Sequence, residues 1–150
     1  MKSSPIIIQK DTEKTAMVSP RIKTFPLFME MIEKNNTFCN HIKRHTVKSF
    51  LPEIKKEILE LEQEISSPNY NHDNIKEEIA DILYNVFVLV KLSKNEVGAS
   101  FDELFQLAID KIKRRKPHIF ENRSVSIEEA SKYWKEAKIR EMENKNVKKN

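Results

Sequence analysis

Glycine is almost missing from this chain: Gly98 is the only one among 150 residues. Tight hairpins and phosphate-cradling loops depend on glycine. Its scarcity therefore argues against an all-β fold, and no P-loop or GxGxxG dinucleotide loop is present. Cysteine is just as scarce. Cys39 stands alone, which rules out an internal disulfide, and no CxxC or paired Cys/His cluster offers a zinc site. As a lone thiol it reads as a small packing residue rather than a nucleophile. HExxH and GxSxG are absent as well. The run Ile6-Ile7-Ile8 is too short for a signal-peptide core or a membrane span, so a cytoplasmic location without membrane association is the expectation.

What the chain does have is charge and helix formers. Charged residues make up 33%, and Leu, Ile, Lys, Glu and Asn are abundant, which favours helices over strands. The length suits one hydrophobic core. Net charge is +4 overall, but it is distributed unevenly: +5 over residues 1–50, −5 over 51–100 and +4 over 101–150. An acidic centre between basic ends suits a site that holds a cation with anionic phosphates beside it. Solvated helix faces give the same pattern. A basic protein can also bind nucleic acid weakly, a reading that rests on charge alone and is not preferred.

Periodicity predicts an all-α fold, a bundle of four to five helices. Residues 1–23 mix Ser, Lys, Pro and Thr without period and read as a poorly ordered tail. The helical domain is expected over 24–143, with a disordered tail over 144–150. A short helix from Pro26 to Asn35 precedes an irregular basic stretch over 36–48. The second helix, Phe50 to Ser66, takes Ser49 as its cap and tolerates Pro52 in its first turn. Its apolar stripe is Leu51, Ile54, Ile58, Leu61 and Ile65, flanked by Glu53, Glu57, Glu60 and Glu64. The third helix starts at a cap on Asp73 or Asn74 and runs to Ser93, with Ile75, Ile79, Ile82, Leu83, Val86 and Val90 expected in the core. Its neighbouring flank carries Glu78, Asp81 and Asn85 and turns apolar at Val88 and Leu92.

Two S-x-x-E capping boxes, Ser100–Glu103 and Ser126–Glu129, open a fourth and a fifth helix. The fourth is expected to bury Phe101, Leu104, Phe105, Ala108, Ile109 and Ile112 before ending near Pro117. The fifth carries Ile127, Ala130, Tyr133, Trp134 and Ala137. Trp134 reads as core and His118 as a packing or capping residue.

The chemistry is concentrated in two carboxylate pairs, Glu57/Glu60 and Glu78/Asp81, each spaced i,i+3. Residues three apart share a helix face. If the two helices pack antiparallel, four carboxylates converge on a site for a hard divalent cation, with Mg²⁺ bringing phosphate chemistry. Salt-bridged surface glutamates are the plain alternative. The basic run from Lys111 to Lys116 either completes a solvated helix end, where cations complement the helix dipole, or clamps a polyphosphate.

The order of these segments resembles the MazG-like nucleoside triphosphate pyrophosphohydrolases. Lys56-Glu57-Ile-Leu-Glu60, seventeen residues, then Glu78-Ile-Ala-Asp81 is similar to the family's EExxE…ExxD pattern. The stretch DILYNVF from Asp81 is similar to GDLLxQVxF, and KIKRRKPHIF from Lys111 to KxxRRHPHVF. The helix from Ser126 through Trp134 to Lys138 resembles the family's EV…W…IK helix. The likeness extends over roughly residues 37–143.

The resemblance implies an all-α fold whose site lies between antiparallel helices and across a homodimer or dimer of dimers. It also implies Mg²⁺-dependent (or Mn²⁺-dependent) hydrolysis of a nucleoside triphosphate to monophosphate and pyrophosphate, in nucleotide-pool sanitation or turnover. Glu57, Glu60, Glu78 and Asp81 are then the metal ligands. Lys111, Arg114, Arg115 and Asn85 are the substrate contacts, and Glu57, Lys111 and Arg114 the catalytic groups. Two departures stand out. Lys56 occupies the first glutamate position of EExxE, where it can pair with Glu60 or lower metal affinity. The family's CPWDxxQTHxSL segment keeps only Cys39, Thr46 and Ser49. They favour the second reading, a catalytically degenerate dimeric module that binds nucleotide or regulates.

Overall fold

The computed structural model describes residues 22–147, so all but the end of the stretch read as an N-terminal tail lies outside the described residues. The architecture is all-α: α1 Phe25–Phe38, α2 Asn40–Lys43, α3 Val47–Ser66, α4 His72–Val97, α5 Phe101–Arg115, α6 Pro117–Phe120 and α7 Ile127–Val147. The five expected helices are all present. Of two further short ones, α2 occupies the stretch read as irregular, and α6 follows directly on the expected end of the fourth helix near Pro117.

Capping chemistry explains most of the shifted boundaries. Thr46, not Ser49, caps α3: the Ser49 amide donates to Thr46 Oγ1 at 3.0 Å, and the Thr46 amide donates to Ser49 Oγ at 2.9 Å. This reciprocal box starts the helix at Val47 and leaves Pro52 inside it, in the second turn rather than the first. Pro52 cannot donate to the Lys48 carbonyl, and Lys48 lies at the exposed surface, where solvent substitutes cheaply. Asn71, rather than Asp73 or Asn74, caps α4 by accepting from the Asp73 amide at 2.8 Å. That helix continues past Ser93 to Val97 and stops at Gly98, whose φ of 69° is the left-handed conformation a helix C-cap favours. The chain's single glycine is thus used where a side chain would be strained. α5 opens on the expected reciprocal Ser100/Glu103 box.

α3 and α4 form an antiparallel hairpin and pack extensively on each other. The Glu64 carboxylate accepts from the Asn71 amide at 2.8 Å at the turn, and Glu96 near the far end of α4 accepts from the Val47 amide at 2.6 Å. α1 lies across α4. The core gathers Ile32, Ile42, Phe50, Val88 and Leu92, one or two residues from each of α1 to α4, with Phe28, Ile54, Tyr84 and Phe87 at its edge.

The packing corrects the predicted stripes. Within one chain α3 and α4 meet along Phe50, Ile54, Glu57 and Leu61 on one side and Glu78, Ile82, Asn85, Val88 and Leu92 on the other, all buried or half-buried. Much of the expected core stripe is exposed instead: Leu51, Ile58 and Ile65 on α3, and Ile79, Leu83 and Val86 on α4. Each helix carries two adjacent apolar faces, and the inner one is the face that holds the carboxylates. α5 likewise buries nothing fully. Of its expected core residues Phe105, Ala108, Ile109 and Ile112 are exposed, and Phe101 and Leu104 are half-buried. Trp134 is also exposed at its rim and not a core residue. Cys39 packs against the core edge, as expected.

Candidate metal and phosphate site

Three of the four predicted ligands converge. Glu57, Glu60 and Glu78 each place a carboxylate oxygen within 4.8 Å of the others, in a half-buried cluster on the facing flanks of α3 and α4. Helical spacing puts Glu57 and Glu60 on one face, and the hairpin register brings Glu78 opposite them. Asp81 is more exposed and outside that triad, yet close enough for its charge to raise the proton affinity of Glu57 and Glu78.

The electrostatics are those of crowded anions. Desolvation, with like charge from neighbouring carboxylates, holds both Glu57 and Glu78 above the usual glutamate range. Glu78 Oε2 is shielded from solvent and has no hydrogen-bond partner. A buried carboxylate oxygen without a donor is costly. Glu60 is held below the usual range, chiefly by its hydrogen bond from Lys56. Hard oxygen donors, a partnerless shielded carboxylate and accumulated negative charge fit Mg²⁺ or Mn²⁺.

The other predicted site residues lie elsewhere. Asn85 is 7% exposed, a buried polar side chain on the inner flank of α4. Lys111, Arg114 and Arg115 sit on α5, whose main packing partners are α6 and α7. Arg114 Nε donates to Glu141 Oε1 at 3.2 Å, and the Arg115 guanidinium donates to Glu141 Oε2 at 2.6 Å. Arg115 also stacks on Trp134, 4.8 Å from the ring, with Lys116 at 5.6 Å. Lys111 has no ion-pair partner among the described residues. Within one chain, then, the carboxylates are assembled and the basic run is not brought onto them.

Sequence reasoning missed Glu141. Its signal was available: Trp134, Ala137 and Glu141 follow helical spacing, so the acid shares the face that meets α5. The retained Thr46 and Ser49 of the upstream segment have a structural reason, since together they cap α3. His45 stands where the family pattern has glutamine, against the Phe50 ring at 5.4 Å and with Nδ1 3.2 Å from Ser49 Oγ.

An antiparallel helical hairpin with inward carboxylates, followed by a basic helix, defines an all-α protein with an acidic, cation-holding class of site. Residues 45–120, more than half of the chain, match the MazG nucleotide pyrophosphohydrolase domain, and the chain belongs to that family. A nucleoside triphosphate pyrophosphohydrolase of Escherichia coli strain K12 is 24% identical over 114 residues, covering 75% of this chain and 43% of that protein. The protein of the same name from Escherichia coli O157:H7 matches equally. The chain therefore spans less than half the length of the curated relatives it matches. The crystal structure of a mazG-related protein from Thermotoga maritima is 27% identical and superposes with a TM-score of 0.69, over 75% of this chain and 97% of that one.

Proposed function

We propose that this chain is a divalent-metal-dependent nucleoside triphosphate pyrophosphohydrolase, acting on the α–β anhydride to yield monophosphate and pyrophosphate. The carrying observation is the Glu57/Glu60/Glu78 triad on the inner flank of the hairpin, with Glu78 Oε2 shielded and partnerless. Glu57, Glu60, Glu78 and Asp81 would hold Mg²⁺ or Mn²⁺, which supplies charge neutralisation of the triphosphate and a more acidic bound water. A carboxylate of the cluster, Glu57 in this reading, would take the proton that the attacking water gives up. The water oxygen adds to one phosphorus of the α–β anhydride and the bond from that phosphorus to the bridging oxygen breaks, separating monophosphate from pyrophosphate.

The phosphate clamp needs Lys111 and Arg114, which stabilise charge on the phosphoryl oxygens. Both arginines are paired with Glu141, so Arg114 turns to a phosphate by giving up that bond, and Arg115 by leaving Glu141 and Trp134. A second copy of the chain supplies the missing juxtaposition in this reading. Leu51, Ile58, Ile79, Leu83 and Val86 on α3 and α4, with Phe105, Ile109 and Ile112 on α5, are exposed apolar side chains that a second copy would cover.

The test is a panel of standard and modified nucleoside triphosphates with Mg²⁺ or Mn²⁺, scored for pyrophosphate against inorganic phosphate. Pyrophosphate release is expected, reduced at least about a hundredfold in Glu78→Gln. Sedimentation is expected to give a dimer that Leu83→Glu dissociates. A folded dimer that binds Mn²⁺ and nucleotide but turns over nothing supports instead the degenerate binding module, which the Lys56 contact with Glu60 favours.

A further inference from the structure

Lys56 lies within the carboxylate cluster as a charge of opposite sign. Its Nζ is 2.9 Å from Glu60 Oε1 and 3.1 Å from Glu60 Oε2, astride both oxygens, and 3.8 Å from Glu57 Oε1. Three of the cluster's acids feel it: its charge favours the ionised form of Glu57, Glu60 and Glu78. The lysine stem stays outside, with the side chain 61% exposed, so only the ammonium is committed to the cluster.

We propose that Lys56 is a resident counter-cation of this site, limiting it to one divalent ion per chain and weakening the affinity for that ion. The inference rests on the metal-site reading above. A carboxylate offers about four lone-pair positions, and an ammonium across both oxygens of Glu60 takes two of them. Glu60 then keeps one position on each oxygen, so it cannot chelate one ion and also bridge to a second, and a second divalent ion would add its charge beside the ammonium already there. The ammonium also repels any divalent cation bound a few ångströms away. Even at the dielectric of water that repulsion corresponds to about tenfold in affinity or more. In return the lysine keeps the metal-free cluster tolerable, since it offsets part of the mutual repulsion of four acids.

The test is equilibrium binding of Mn²⁺ alone, by electron paramagnetic resonance and calorimetry, to the wild type, Lys56→Gln, Lys56→Arg, Lys56→Glu and Glu78→Gln, with melting curves in EDTA and in Mn²⁺. Wild type is expected to bind one Mn²⁺ per chain. Lys56→Gln is expected to bind it about tenfold more tightly, to melt lower in EDTA and to gain more on adding Mn²⁺. Lys56→Arg keeps the wild-type affinity, and Lys56→Glu takes a second ion. Two ions bound to the wild type, or unchanged affinity in Lys56→Gln while Glu78→Gln loses the ion, overturns the role of Lys56 and leaves the metal site standing. No Mn²⁺ bound by any of the folded variants overturns the metal site itself, and the counter-cation with it.

Discussion

The two halves of the chain are held together by different physics. From α1 to α4 a conventional core of Ile32, Ile42, Phe50, Val88 and Leu92 does the work, and the charged groups that matter are crowded acids. From α5 to α7 only Ala137 is buried. There the contact is a clasp: Glu141 bridges Arg114 and Arg115, Arg115 lies on Trp134, and His118 stacks on Tyr133 with centroids 5.9 Å apart. Arg123 adds links to Glu121, Glu129 and Tyr133. The carboxylates show the same contrast. Glu57 and Glu78 are held above the usual glutamate range by desolvation. Glu129 and Glu141 are held below it by hydrogen bonds, chiefly from Tyr133 and from Arg115 respectively. One half has stored negative charge, and the other has neutralised it. A site for cationic ligands belongs in the first.

The largest effect should come from the core. Phe50→Ala removes a ring that is 2% exposed and is expected to cost about 3–5 kcal/mol in urea unfolding, destabilising α1 to α4 together. Breaking the clasp should cost less and act locally. Arg115→Ala removes a pair that is only partly shielded, with side-chain exposures of 16% and 20%, and about 1–2 kcal/mol is expected. Hydrogen exchange should quicken in α7 while α3 and α4 stay protected. An equal loss of protection in α3 and α4 would show that the halves form one cooperative unit and break the comparison.

The smallest and most discriminating effect is the pH dependence of the metal-free protein. Glu57 and Glu78 bind protons more tightly in the folded state than the usual glutamate does. Their favourable contribution is full at low pH and is lost as pH rises through their raised values. Glu129 and Glu141, like Glu60 beside Lys56, behave oppositely: their contribution is present above the usual range and is lost as pH falls through their lowered values. Melting in EDTA should therefore rise slightly as pH falls from neutrality toward the glutamate range, before further acid undoes the clasp. Saturating Mn²⁺ should abolish the initial rise, because the ion favours the ionised acids. A melting temperature that falls throughout would mean the triad is not crowded as described.

Much of the molecule was legible without coordinates. The Ser100/Glu103 box starts α5 because its signal is local, complete within one turn. The α3 start differs from the expected one because Thr46 and Ser49 are both good caps, and the choice between them depends on the reciprocal bond that only one register allows. Three of four metal candidates converge because i,i+3 spacing leaves little choice once the hairpin forms. The basic run was harder to place, since no local pattern says whether Arg114 and Arg115 turn toward a phosphate or toward Glu141 on α7.

The sequence by itself determined the helices, the pairing of acids on shared faces and the family to which the chain belongs, because each depends on neighbours within a few turns or on the order of segments. Tertiary structure decided which apolar face of α3 and α4 turns inward. Both faces satisfy the helical period, and only packing against α1, α2 and the opposing helix separates them. That choice put Glu57, Glu60 and Glu78 inside the hairpin, seated Lys56 among them, and left Leu83 and its neighbours facing outward.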